Sequence, residues 1–189
     1  MSQATEHAER WARAITADTD AAVALYADAV LYDDRRAVDH VVDTATDRTQ
    51  VRERLAPFAN QDPANGLGIH RFDVLEAIET TGGAGARAVT ILWRWTGEHL
   101  AGFRGVPTGG RSLATRGQTW HQLDADGRID RELTNWNDTP VLQQLGLPVL
   151  TPHYWVADAD ADAGAIAVSG AAPGVGTPTA SATADGAGG

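Results

Sequence analysis

Cysteine and lysine are both missing from the 189 residues, and all 15 basic side chains are arginine. Without cysteine there is no disulfide framework, no thiolate nucleophile and no Cys-ligated zinc or iron–sulfur site. Without lysine there is no Schiff-base amine and no P-loop lysine. Positive charge is scarce as well. The formal net charge is -10, and no arginine cluster exceeds the pair Arg35–Arg36, so no nucleic-acid partner is expected. No apolar run approaches the roughly 20 residues that span a bilayer, so no membrane association is expected. The first 12 residues carry Glu6, His7 and Glu9 and lack the apolar stretch of a signal peptide. A cytoplasmic protein is the expectation.

Hydrophobic residues make up 43% of the chain, enough for a packed core over most of its length. The composition changes near the end. Residues 157–189 hold 12 alanines and 7 glycines but no aromatic or basic residue. Such a segment buries too little apolar area to offset its ordering entropy. The expected organisation is one folded domain over residues 1–150 and an Ala/Gly-rich disordered tail over residues 151–189.

Helical spacing marks Ala4–Thr16, with Ala8, Trp11, Ala12 and Ile15 on one face. Asp18 or Thr19 can cap a second helix reaching Ala27, and Asp47 or Thr49 a third ending near Phe58. Ala29–Tyr32 is a short strand candidate, and the polar stretch Asp33–Asp47 gives no clear pattern. The period then drops to 2. Strands are predicted over Ile69–Glu79, Ala86–Glu98, Arg111–Leu123 and Arg128–Asp138, with a hairpin turn at Asp126-Gly127. Thr139 to Gly146 reads as a capped closing helix with Pro140 at its start and Gly146 at its stop. Helices followed by a long antiparallel sheet make an α+β fold, and a curved sheet closed by helices leaves a pocket for a small ligand.

The stretch from Trp95 through Gly97, His99, Gly102, Phe103, Gly105, Pro107, Gly109 and Arg111 resembles a signature of the SnoaL-like polyketide cyclases. Asp126-Gly127-Arg128-Ile129, Arg131-Glu132, Trp136 and Gln143-Gln144-Leu145-Gly146 are similar to that family's ending. The resemblance implies a cone-shaped α+β barrel of the nuclear transport factor 2-like and steroid delta-isomerase-like superfamily, forming a homodimer through its sheet. It implies cofactor-independent acid/base chemistry on a small-molecule substrate, such as ring closure of a polyketide. The family's acid/base is an Asp directly after the strand Trp. Here that position is Asn137, an amide that cannot take up a proton near neutral pH.

Other residues can supply the proton transfer. Asp138 serves either as a base, if a β-bulge turns it inward, or as the cap of the closing helix. The hairpin register puts His121 on one face with Glu132 and Asp138, and Gln118 and Trp120 on the other with Asn135 and Asn137. His121 and Glu132 form either an acid/base unit or an ordinary cross-strand pair. Asn135 and Asn137 can clamp an enolate or bond neighbouring loops. Tyr32 and Asp33 either touch substrate or belong to an exposed charge network with Arg35 and Arg36. Trp95, Trp120 and Trp136 suit a flat ligand, a core or a dimer interface, and His99 lies in the family motif. Of the six histidines, His7, His40, His70, His99, His121 and His153, none forms a metal-binding pair motif, so no metal and no cofactor are expected.

The expected reaction is cyclisation or isomerisation of a polycyclic carbonyl compound in secondary metabolism. Asp138, His121 and Asn137 are the candidate catalytic residues. Tyr32, Asp33, Trp95, His99, Gln118, Trp120, Asn135 and Trp136 are the candidate substrate contacts. Epoxide opening in the same fold and noncatalytic ligand binding are the alternatives.

Overall fold

The computed structural model describes residues 2–36 and 42–148, all within the unit Met1–Leu150. The expected tail, His40 and His153 lie outside the described residues. Helix α1 spans Gln3–Ala17 and is capped by Ser2, whose hydroxyl accepts from the Thr5 N–H. Its face of Ala4, His7, Ala8, Trp11, Ala12 and Ile15 is buried and packs mainly on strand β3 (Leu67–Thr81). Helix α2 is only Thr19–Val23, capped by Asp18. Leu25 and Tyr26 therefore leave the helix expected to reach Ala27, and Tyr26 begins strand β1, Tyr26–Arg36. The unassigned polar stretch contains the rest of β1 and strand β2, Val42–Asp47. These edge-side strands have no apolar alternation, which hides them from a pattern reading. Asp47 caps helix α3, Arg48–Leu55, and a 3-10 turn carries the chain over Ala56–Ala59.

The long strands lie close to their predicted places. Strand β4 is Arg87–Leu100, β7 is Leu113–Leu123 and β8 is Ile129–Trp136. A small hairpin between β4 and β7 holds β5 (Gly102–Phe103) and β6 (Val106–Pro107). Helix α4 is Thr139–Gln144. The strand order is β2-β1-β8-β7-β4-β3. The neighbours are antiparallel except β1 and β8, which run parallel. The sheet is therefore mixed, where an antiparallel one was expected. No turn joins β1 to β8, so nothing local in the sequence states their relative direction.

Register sorts the side chains by face. Val89, Ile91, Trp93 and Trp95 of β4 are buried on the helix side, as are Leu113, Thr115, Thr119, His121 and Leu123 of β7. Trp93 lies opposite Gly117 of β7. A Cβ at Gly117 would fall 2.4 Å from the Trp93 ring and 2.9 Å from the Asn135 carbonyl oxygen. The absent side chain is what lets the indole lie flat across the neighbouring strand.

Candidate active site

A cavity of about 350 Å³ lies between the helices and the inner face of the sheet, within the range that holds small ligands. Three strands build its polar side in register. Tyr32 of β1 pairs with Glu132 of β8, which pairs with His121 of β7. One pleat further along, Asp34, Thr134 and Thr119 form the next row. Trp11, Phe58, Phe72, Trp93, Trp95, Phe103 and Trp136 line the cavity with aromatic rings. Phe72 meets Trp11 at 5.7 Å, Phe58 at 5.6 Å and Trp93 at 5.3 Å between centroids, all tilted or edge-on.

Glu132 is one of two carboxylates of this wall and is 2% exposed. Oε2 accepts from the Tyr26 hydroxyl at 2.7 Å and lies 3.0 Å from His121 Nε2. Oε1 accepts from the Thr134 hydroxyl at 2.8 Å. Thr134 in turn lies 2.8 Å from the Thr119 hydroxyl, which accepts from Trp93 Nε1 at 2.9 Å. Tyr26 and His121 do not line the cavity, whereas Thr134 and Thr119 do. Oε2 therefore faces the packed wall and Oε1 the cavity. Each carboxylate oxygen accepts two hydrogen bonds, so Oε1 keeps room for one more. Burial, followed by the nearby Glu132 charge, pushes the phenols of Tyr26 and Tyr32 well above their ordinary range. Both stay protonated and act as donors.

Behind the wall, His121 Nδ1 lies 2.9 Å from Nε2 of His7 on α1. Burial, and then His121, Arg10 and Arg87, lower the His7 pKa to about 3. On the far side of the cavity His70 is also held neutral-leaning by burial, partly opposed by its bond to the Leu67 carbonyl. Its Nε2 lies 2.9 Å from that carbonyl, and its Nδ1 accepts from Trp95 Nε1 at 3.1 Å. Both ring nitrogens are thus engaged, which makes His70 a fixed part of the wall.

Asp34 is a second carboxylate on the cavity, accepting from Trp136 Nε1 at 2.8 Å. Beside it, the β5–β6 hairpin contributes Gly102, Phe103 and Arg104. Arg104 and Gly105 have φ of 49° and 77° at the hairpin tip, the left-handed pair a tight two-residue turn needs. Arg104 reaches back to the fully buried Asp138, with a 2.8 Å ion pair. Phe103 meets Trp136 edge-on at 6.2 Å. Among the described residues no group of three or more potential ligands could hold a metal ion.

The expected residues separate into three sets. Tyr32, Trp95 and Trp136 line the cavity, and His121 stands behind it on Glu132. Gln118, Trp120 and Asn135 lie off the cavity on the outer face of the sheet, as their register opposite Leu92, Leu133 and Gln118 requires. Asp33 points outward too, bonded by Thr44 and Arg35. His99 is exposed in a left-handed conformation where β4 runs out. Asn137 is exposed, and its Oδ1 accepts from the Thr139 N–H at the start of α4. Asp138 occupies the cap position without a side-chain capping bond, because its carboxylate is turned to Arg104. Asp34, Thr119, Thr134 and His7 were not among the expected site residues, and Glu132 was expected only as the cross-strand partner of His121, in an acid/base unit or an ordinary pair. The signal for Glu132 was present: Leu113 and Leu123 mark the odd face of β7 as the core side, and the hairpin register places Glu132 opposite His121 on that face.

No family model matches the chain, and no curated protein matches it by sequence. Solved structures do. A proposed polyketide cyclase from Acidithiobacillus ferrooxidans is 22% identical, covering 77% of this chain and 95% of its own, with a TM-score of 0.55. A proposed SnoaL-like polyketide cyclase from Shewanella putrefaciens is 15% identical, covering 78% and 88%, with a TM-score of 0.58. SalBIII, an epoxide hydrolase/cyclase-like enzyme of pyran ring formation in the polyether salinomycin, is 15% identical, covering 73% and 93%, with a TM-score of 0.51. The chain shares the α+β fold of these three proteins, the nuclear transport factor 2-like fold.

Proposed function

We propose that the protein is an acid/base enzyme that isomerises or cyclises a flat polycyclic or polyketide-like carbonyl compound, using only groups of its own chain. The observation that carries this reading is the Glu132 carboxylate, with one oxygen anchored by Tyr26 and His121 and the other turned to an aromatic cavity. Glu132 Oε1 takes the proton from the carbon next to the substrate carbonyl. The phenol of Tyr32, beside Glu132 in the register, donates to the enolate oxygen as charge develops there. The enolate then either recovers the proton from Glu132 at a new carbon or attacks a second carbonyl, closing a ring whose alkoxide takes the proton back from Glu132. Trp93, Trp95 and Phe72 give a planar substrate stacking surfaces. His121 belongs to the catalytic unit through Glu132. Asp138 and Asn137 have structural roles at the hairpin and at α4. A homodimer through the outer sheet face fits the Trp120 and Leu133 side chains that pair there.

Epoxide opening is the second reading. It is favoured by Asp34, a further carboxylate about 7 Å along the strands from Glu132 on a two-residue strand rise. A pair of carboxylates can divide the tasks of base and acid.

The deciding experiment incubates the protein in heavy water with a panel of polycyclic β-keto esters, enones and epoxides and follows proton exchange and mass. Glu132-dependent deuterium uptake, ring closure or double-bond movement is expected, with Glu132→Gln slower by about 100- to 10,000-fold. A diol formed with labelled oxygen selects epoxide opening. Tight binding without exchange or mass change overturns the enzymatic reading in favour of a ligand-binding protein.

A further inference from the structure

The hydrogen-bond chain that ends on Glu132 begins outside the cavity, on α1. Arg10 sits on the exposed side of that helix, and one of its guanidinium nitrogens lies 3.5 Å from His7 Nδ1. A guanidinium only donates, so Nδ1 of His7 is the acceptor and its proton sits on Nε2. That Nε2 faces His121 Nδ1 at 2.9 Å. His121 Nδ1 must then accept, and the His121 proton sits on Nε2, 3.0 Å from Glu132 Oε2. These proton positions follow from the partners of each nitrogen. The two rings meet edge-on, 5.1 Å apart at 84°, and Trp11 holds the His121 ring from the side at 5.4 Å. His7 is 4% exposed and His121 is fully buried, so no water competes for the bond between them.

We infer that His7 is a positioning residue: from the N-terminal helix it occupies His121 Nδ1 as a donor and so fixes the His121 N–H on the ring nitrogen that holds Glu132. The carboxylate sets the direction, because Glu132 Oε2 accepts from His121 Nε2, which leaves His121 Nδ1 as the acceptor of the His7 Nε2 proton, and the Arg10 contact agrees with it. The charged and titratable groups around His7 are Arg10 on its own helix, Arg87 on β4 and His121 on β7. Around Glu132 they are Tyr26 and Tyr32 on β1 and His121 on β7. Every proton in the chain points from α1 toward the carboxylate. The chain also has a dead end, since the Arg10 guanidinium accepts no proton.

The value of this arrangement to catalysis rests on Glu132 being the base, but the tautomer itself is read on the free protein. In uniformly 15N-labelled protein, a coupling across the hydrogen bond is expected between His7 Nε2 and His121 Nδ1, with the shared proton bonded to His7 Nε2. His7→Gln keeps a donor toward His121 and an acceptor toward Arg10. It should preserve the His121 Nε2–H resonance and its slow exchange. His7→Phe keeps a ring and loses the donor, and the same proton should exchange with solvent about tenfold faster. On a substrate found as above, Phe should lower turnover at unchanged KM and Gln should restore it. A proton found on His121 Nδ1, no coupling at all, or a Phe variant with the wild-type His121 exchange rate overturns the inference. Loss of turnover in Glu132→Gln tests the base reading separately, because that variant leaves the His7–His121 bond in place.

Discussion

Replacing Glu132 by two different residues separates its structural from its chemical role. The side chain accepts bonds from the Tyr26 hydroxyl, His121 Nε2 and the Thr134 hydroxyl, all in a buried wall. In Glu132→Leu the Thr134 hydroxyl, which lines the cavity, can give its proton to water there. The Tyr26 and His121 donors have no such alternative. A buried donor left unsatisfied costs about 1–3 kcal/mol, so two cost about 2–6 kcal/mol. That is a large share of a total stability of about 5–15 kcal/mol. In Glu132→Gln the amide oxygen takes the place of Oε2 and keeps both donors, while its NH2 group faces Thr134. The Gln variant should therefore be at least about 2 kcal/mol more stable than the Leu variant. With a urea slope of about 2 kcal/mol per molar, the unfolding midpoints should differ by about 1 M. Both variants lack the proposed base, and their exchange should be slower by about 100- to 10,000-fold. Equal midpoints would refute the converging network, and an active Gln variant would refute the base.

Three further outcomes are expected. His7 titrates at about 3 in the fold against an ordinary 6.5, so between those values the unfolded chain binds more protons. Stability is then complete above about pH 6.5 and falls as the pH is lowered toward 3, by up to about 1.4 kcal/mol per unit; thermal unfolding from pH 7 to 4 should show a shallower acid loss in His7→Gln. Arg104→Ala leaves the Asp138 carboxylate buried without its guanidinium, which should cost about 3 kcal/mol by urea denaturation, and Asp138→Asn should cost less. Asn137→Asp restores the carboxylate of the SnoaL-like pattern at an exposed position that bonds the Thr139 N–H; exchange activity should stay within about twofold of the parent, since the new group lies off the cavity.

The local parts of this structure are written in local sequence. The α1 face, the Asp18 and Asp47 caps, the Asp126-Gly127 turn and the alternation of β4 and β7 each depend on contacts a few residues apart or on one period of hydrophobicity. They gave the α+β class, the long strands and the pairing of His121 with Glu132. What the sequence could not state is what meets across long separations. β1 and β8 pair in parallel with no connecting turn, and their register brings Tyr32 and Asp34 beside Glu132 and Thr134. The face of β8 that looks into the cavity was undecided because polar groups stand on both; only packing against α1 and β4 chose Glu132, Thr134 and Trp136 over Asn135. Asp138 neither lines the cavity nor makes a capping bond to α4, because its carboxylate is turned to Arg104, 34 positions earlier on a hairpin tip. His7 is the extreme case: it lies 114 positions from His121, and no period or motif joins them. Hydrophobic period sets which elements form, but the partner of a buried polar group is decided by desolvation, which acts only once the tertiary structure has closed around it.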